Sequence, residues 1–244
     1  MKLFIAALAL VGAMLLSSAA NATKVAEPAL AEAIGLFCPI ACTGPAHGFN
    51  KQICTGFPVG ENLVITAGHC QCAVEDEFGT VTKDRMTVSL DGGKSWIWVN
   101  DASSFTHQVY DVQLIIVPIR PHKVASFRDA ILGETVAGFG IPMGNVGSVG
   151  TIVHIDPTWV MATNLPVGGM SGSALVGRDG KVVGMAIYGL VPDSRFGSSF
   201  SGYLPSRVLK TLVDDFKNLI KKGQLPSAAN SHTTSSPATG TPLH

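Results

Sequence analysis

Gly168-Gly169-Met170-Ser171-Gly172-Ser173-Ala174 sets a serine among glycines and runs at once into the apolar stretch Ala174-Leu175-Val176. A nucleophilic serine needs small neighbours. They let substrate reach the hydroxyl and let backbone N–H groups point at one developing oxyanion. A Gly/Ser-rich turn between strands has the same composition, so this stretch does not decide by itself. Upstream lies Val64-Ile65-Thr66-Ala67-Gly68-His69-Cys70, and between the two lies Tyr110-Asp111-Val112-Gln113-Leu114. His69, Asp111 and Ser171 therefore follow one another along the chain, each in its own recognisable setting.

These motifs resemble the trypsin/chymotrypsin-like serine proteases. Thr66-Ala67-Gly68-His69-Cys70 is similar to that family's Thr-Ala-Ala-His-Cys, and Asp111-Val112-Gln113-Leu114 to its Asp-Ile-Ala-Leu. Gly169-Met170-Ser171-Gly172-Ser173 resembles Gly-Asp-Ser-Gly-Gly, and more closely the Gly-Asn-Ser-Gly-Ser of bacterial glutamyl endopeptidases. Val182 to Gly189 is similar to the substrate-lining strand that ends Ser-Trp-Gly in trypsin. The resemblance covers roughly residues 50 to 222. It implies an all-β fold: two six-stranded antiparallel β-barrels of the chymotrypsin type with a C-terminal α-helix.

Composition agrees with one large domain. The chain has 244 residues, 46% hydrophobic and 14% charged, enough to bury a sizeable core. Lys+Arg and Asp+Glu balance at 17 each, which argues against a nucleic-acid partner. Met1-Lys2, an apolar run from Leu3 to Leu16, and Ala20-Asn21-Ala22 have the parts of a secretory signal peptide, expected to span 1–22. A membrane anchor is the competing reading, but the run is short for spanning. No other stretch is long enough, so no membrane association is expected after cleavage. The expected location is secreted or periplasmic. The oligomeric state is not legible.

Export permits disulfides. Five cysteines occur, Cys38, Cys42, Cys54, Cys70 and Cys72. The resemblance pairs Cys54 with Cys70, as the bridge that clamps the histidine loop. The pairing of the other three stays open, and an odd count leaves one over. A metal site of His69, Cys70 and Cys72 is the alternative, but it lacks a second well-spaced ligand pair. No metal and no cofactor is expected.

Residues 23–50 read as an N-terminal extension with a helix-compatible patch from Ala26 to Leu36. Residues 51–223 read as the protease domain. From residue 51 short apolar or alternating runs recur between turn signals. They are Ile53–Phe57, Leu63–Ala67, Met86–Leu90, Trp96–Val99 and Val112–Val117, then Thr135–Phe139, Val149–Ile155, Trp159–Ala162, Ser173–Val176, Val182–Tyr188 and Ser198–Leu204. Asp91-Gly92-Gly93-Lys94 and Arg178-Asp179-Gly180-Lys181 are hairpin signals. Helical periodicity is absent over this span, which favours a barrel or sandwich. Pro118 to His122 breaks it into barrel one (about 51–120) and barrel two (about 131–204). Over 205–222, Val208, Leu209, Leu212, Val213, Phe216, Leu219 and Ile220 fall on one helical face. An amphipathic helix can also serve a partner. Residues 224–244, rich in Ser, Thr, Pro and Ala, read as a disordered tail.

The resemblance implies His69 as general base, Asp111 as its orienting carboxylate and Ser171 as nucleophile. The backbone N–H groups of Gly169 and Ser171 would form the oxyanion hole. Met170 stands where activated trypsins carry the aspartate that receives a freed N-terminus, so that ion pair cannot form. The implied primary pocket holds Leu165, Ile187, Tyr188 and Gly189, with no counter-charge for Arg, Lys or Glu. A preference for small or medium aliphatic residues is expected. The substrate class is protein or peptide. The alternative is a catalytically silent protease-fold binding or adhesion module. An exported esterase of the hydrolase fold would need the order Ser, Asp, His.

Overall fold

The computed structural model describes residues 27–100, 103–140, 146–164, 168–193 and 198–224. The expected signal peptide 1–22 and all of the expected tail except Gln224 lie outside them. Fifteen strands and two helices are present among these residues.

A short helix α1 (27–35) leads into the first half. Its strands are β1 (Cys38–Gly44), β2 (Gly48–Gly60), β3 (Leu63–Ala67), β4 (Ala73–Glu75), β5 (Val81–Lys83), β6 (Arg85–Val88), β7 (Ile97–Trp98), β8 (Ser104–His107) and β9 (Val112–Ile116). Seven of them form one antiparallel half-barrel sheet in the order β7-β6-β1-β2-β3-β9-β8, and β4-β5 is a separate hairpin. The second half is a closed barrel, β10 (Thr135–Gly140), β11 (Val146–Ile155), β12 (Val160–Ala162), β15 (Ser198–Pro205), β14 (Val182–Asp193) and β13 (Ala174–Gly177). A half-barrel sheet, a closed six-stranded barrel and a C-terminal helix make up the expected chymotrypsin-like double-barrel architecture.

Each apolar run read from the sequence overlaps a strand. The Asp91–Lys94 signal joins β6 to β7, which pair antiparallel. The Arg178–Lys181 signal joins β13 to β14. Four strands carry no such signal. β1 lies within the stretch read as an extension. It pairs with β2 and β6, so the first sheet takes an inner strand from there. Cys38 to Cys42 are all buried. A strand buried on both faces has no polar alternation to announce it. The hairpin β4-β5 and the short β8 are half-exposed or exposed and weakly apolar.

Helix α2 (Ser206–Lys221) buries Leu209, Leu212, Val213 and Phe216, each contributing roughly 1.5–3 kcal/mol. It rests on β14 and β15. It also reaches the first half: Phe216 stacks on Phe105 of β8 at 5.5 Å, and Lys217 Nζ donates to the Val59 carbonyl at 3.0 Å. Pro205, extended, stands at its N-cap, and Gly223 ends it at φ +66°. α1 is similarly shared. Phe37, just after it, meets Phe139 of β10 edge-to-face at 5.0 Å.

Candidate active site

Strand register brings the histidine and the aspartate together. β3 and β9 pair antiparallel, with Ala67 opposite Val112. The pairing continues one step further: the Gly68 N–H donates to the Asp111 carbonyl at 2.7 Å. His69 then follows β3 as Asp111 precedes β9. His69 Nδ1 lies 2.6 Å from Asp111 Oδ2. A carboxylate oxygen accepts, so Nδ1–H is the donor, which leaves Nε2 as the acceptor nitrogen of the neutral ring. His69 is 44% and Asp111 27% exposed, so the pair is reachable from solvent. A cleft of about 400 Å³ beside it is lined by Gly68, His69, Gln71, Ala73, Thr106 and Asp111.

Asp111 takes φ +51°, a left-handed conformation rare outside glycine, asparagine and aspartate. Gly68 makes this possible. A Cβ there would stand 2.8 Å from Asp111 Oδ1 and 2.9 Å from its carbonyl carbon.

Two disulfides hold this region. Cys54–Cys70 ties the histidine loop to β2, and Cys42–Cys72 ties the chain just beyond it to β1. Cys38 is the free, buried thiol; burial pushes its pKa up to about 12. Cys54, His69 and Cys70 lie within 4.8 Å of one another. Cys70 and Cys72 are both in bridges and present no thiolate, which removes the sulfur ligands of the metal reading.

Ser171 sits in the turn between β12 and β13 and is partly exposed. That turn belongs to barrel two but is fastened to the first half. Ser171's carbonyl accepts the Thr55 N–H at 2.9 Å, and Gly169's carbonyl accepts Thr55 Oγ1 at 2.8 Å. Cys70 Sγ, one residue beyond His69, is 3.8 Å from the Ser171 carbonyl oxygen. The Gly172 N–H donates to Ala186 at 2.7 Å, and the Ser173 N–H to Met170 at 2.8 Å. Met170, where trypsins carry aspartate, is 1% exposed and packs against β10 in the space left by Gly138 and Gly140.

Of the expected primary pocket, Ile187 is buried on β14. Leu165 and the side chain of Tyr188 lie outside the described residues; Gly189 is on β14. Thr55 and Gly140 were not read from the sequence as part of the site, and Thr66 was read only as the first residue of the histidine motif. The hydrogen bonds of Thr55 and Thr66 reach partners 11 to 114 residues away.

The family described as trypsin-like peptidase domain matches residues 54–185, more than half of the chain. The chain belongs to that family, as its motifs led one to expect. The active form of the Rv3671c protease from M. tuberculosis is similar over 87% of this chain and 88% of that one, with a TM-score of 0.58 and 18% identity. Likeness at that identity speaks for the fold. No curated protein matches the chain at a significant level. Family membership and fold together support peptidase function.

Proposed function

We propose that the chain is an exported serine endopeptidase working through His69, Asp111 and Ser171. The single observation that carries this is the His69–Asp111 hydrogen bond of 2.6 Å, made within the disulfide-clamped stretch whose Thr55 N–H also holds the Ser171 carbonyl. In this reading His69 Nε2 takes the proton from Ser171 Oγ as the oxygen attacks a peptide carbonyl. The new C–O bond makes a tetrahedral oxyanion, which the Gly169 and Ser171 N–H groups receive. His69 then gives the proton to the leaving amine as the C–N bond breaks, leaving an acyl-enzyme. Water, deprotonated by His69, releases the acid and restores Ser171. Asp111 keeps the imidazole oriented and stabilises its protonated form.

Residues 1–22 act as the signal peptide, and two disulfides fit an extracellular or periplasmic location. Among the described residues no helix is long and apolar enough to cross a membrane. The primary pocket takes small or medium aliphatic side chains, since Leu165 and Ile187 offer no charge.

Hydrolysis of fluorescein-labelled casein by the chain from residue 23 tests this. The wild type should release soluble fluorescence, and Ser171→Ala and His69→Ala should each lose at least about a thousandfold in rate. Equal rates in wild type and Ser171→Ala would reject the reading. A chromogenic peptide panel cleaved best after Arg, Lys or Glu would reject the aliphatic pocket.

A further inference from the structure

The turn carrying Ser171 takes part of its shape from one side chain of the other barrel. Thr55, on β2, is 1% exposed. Its hydroxyl donates to the Gly169 carbonyl at 2.8 Å and its N–H to the Ser171 carbonyl at 2.9 Å. Its own carbonyl accepts Thr66 Oγ1 at 2.7 Å. Strand β10 passes close to the hydroxyl. A Cβ on Gly140 would come within 2.8 Å of Thr55 Oγ1 and 2.9 Å of Met170 Cγ, so β10, Met170 and Thr55 meet at one point. A Cβ on Gly172 would fall 2.2 Å from the Thr55 carbonyl oxygen and 2.3 Å from Thr66 Oγ1.

Peptide planes are rigid and trans, so holding a C=O in one direction sends the N–H of the same plane the opposite way. Three consecutive planes matter here. Thr55 holds the first, by the Gly169 carbonyl, and the third, by the Ser171 carbonyl. The Ser173 N–H holds the middle one, by the Met170 carbonyl, and that plane carries the Ser171 N–H. Glycines at 169 and 172, with φ of +91° and +81°, would otherwise let these planes turn at little cost.

We propose that the Thr55 hydroxyl is a positioning group for the oxyanion hole. By pinning the Gly169 carbonyl it anchors the plane just before the one that carries the Ser171 N–H, as the Ser171 carbonyl bond anchors the plane just after it. With buried Met170 it does here what the N-terminal ion pair does in chains that carry aspartate at that place. The inference rests on the assignment of Ser171 as nucleophile. Thr55 touches no substrate; it acts through the turn.

The test uses the chain from residue 23 and p-nitrophenyl butyrate, an activated ester that makes little demand on the primary pocket. Thr55→Val keeps the shape and removes the donor. We expect kcat to fall about 10- to 100-fold with KM within about twofold, a loss smaller than or equal to that for a deleted oxyanion donor. Thr55→Ser, which restores the donor, should return kcat to within about threefold of wild type. The inhibition constant of a peptide aldehyde, whose hemiacetal oxygen needs the same hole, should rise in step with the fall in kcat/KM. Where Thr55→Val does not fold, Thr55→Cys takes its place: it has similar volume and a weak donor, and should lose kcat without losing affinity for substrate. Thr55→Val or Thr55→Cys at wild-type kcat would overturn the proposal, as would a loss confined to KM. Wild type turning over no faster than Ser171→Ala would instead remove the nucleophile assignment, and the positioning role with it.

Discussion

Gly68 and Asp111 are joined by a backbone hydrogen bond and closely apposed beside it. The Gly68 N–H donates to the Asp111 carbonyl at 2.7 Å, and the space where a Gly68 side chain would stand is taken by the Asp111 carboxyl, 2.8 Å from an added Cβ. This contact lets Asp111 turn to φ +51° and bring Oδ2 to 2.6 Å from His69 Nδ1. The family signature that the histidine stretch resembles has alanine where Gly68 stands.

Gly68→Ala is therefore expected to displace Asp111 while leaving both sheets in place. Casein hydrolysis should fall at least about tenfold while the far-ultraviolet circular dichroism is unchanged. Unaltered activity would mean that Asp111 shifts without consequence for His69.

Asp111→Asn separates charge from shape. Asparagine tolerates the left-handed conformation as aspartate does, so the melting temperature should move by only a few degrees. It can, however, offer its NH₂ to the ring and hold the wrong tautomer. Losing the carboxylate of such a triad is expected to lower kcat by about 10⁴. Steady-state kinetics with a thermal melt reads both.

Cys38 should be silent in the folded chain. Burial raises its pKa to about 12, and the other four cysteines are bridged. Ellman's reagent at pH 8 should find no reactive thiol in the native protein and one per chain in guanidinium without reductant. Three thiols would contradict one of the two bridges. Loss of Cys54–Cys70 through Cys54→Ala/Cys70→Ala should cost about 3 kcal/mol on its loop length. It should also abolish hydrolysis, because that bridge joins the histidine loop to β2.

How much of this was legible in the sequence follows from the range of the contacts. His69 and Asp111 could be read because each adjoins an apolar strand in a recognisable stretch, and antiparallel register then brings them together. The hairpin glycines at 92, 93 and 180, and the α2 face from Leu209 to Phe216, are likewise local signals. β1 could not be read. Pro39-Ile40-Ala41-Cys42 is short, buried throughout and without alternation. Nor could the Cys42–Cys72 bridge, since three cysteines were left with equal claims until β1 was placed beside β2 and β6. Thr55 carries no motif beyond following Cys54. Its role comes from a turn 114 residues on.

Acid should weaken the fold through carboxylates held below their ordinary range. Hydrogen bonds from the Thr158 hydroxyl, with backbone N–H groups of Thr158 and Trp159, lower Asp156 to about 2. Ser95 and Ser89 hold Asp91 far below the usual range. At Asp84 burial opposes the shift, but hydrogen bonds from His47 and Ala46 outweigh it. A lowered folded pKa gives stability that is present above the unfolded value near 3.9 and lost as pH falls through the folded one. The melting temperature should thus drop between about pH 4 and pH 2. Asp156→Asn, which still accepts hydrogen bonds, should flatten part of that drop. A melt independent of pH over this window would contradict these hydrogen bonds.

The central claim is that Ser171 is an activated nucleophile. The most direct measurement is intact mass after treatment of the chain from residue 23 with a fluorophosphonate probe, followed by peptide mapping. Such probes react where a base and an oxyanion hole act on one serine. The account predicts one adduct per chain, on Ser171, absent in Ser171→Ala and in His69→Ala. A folded, disulfide-bonded chain that gains no mass, or gains it on another residue, would contradict it.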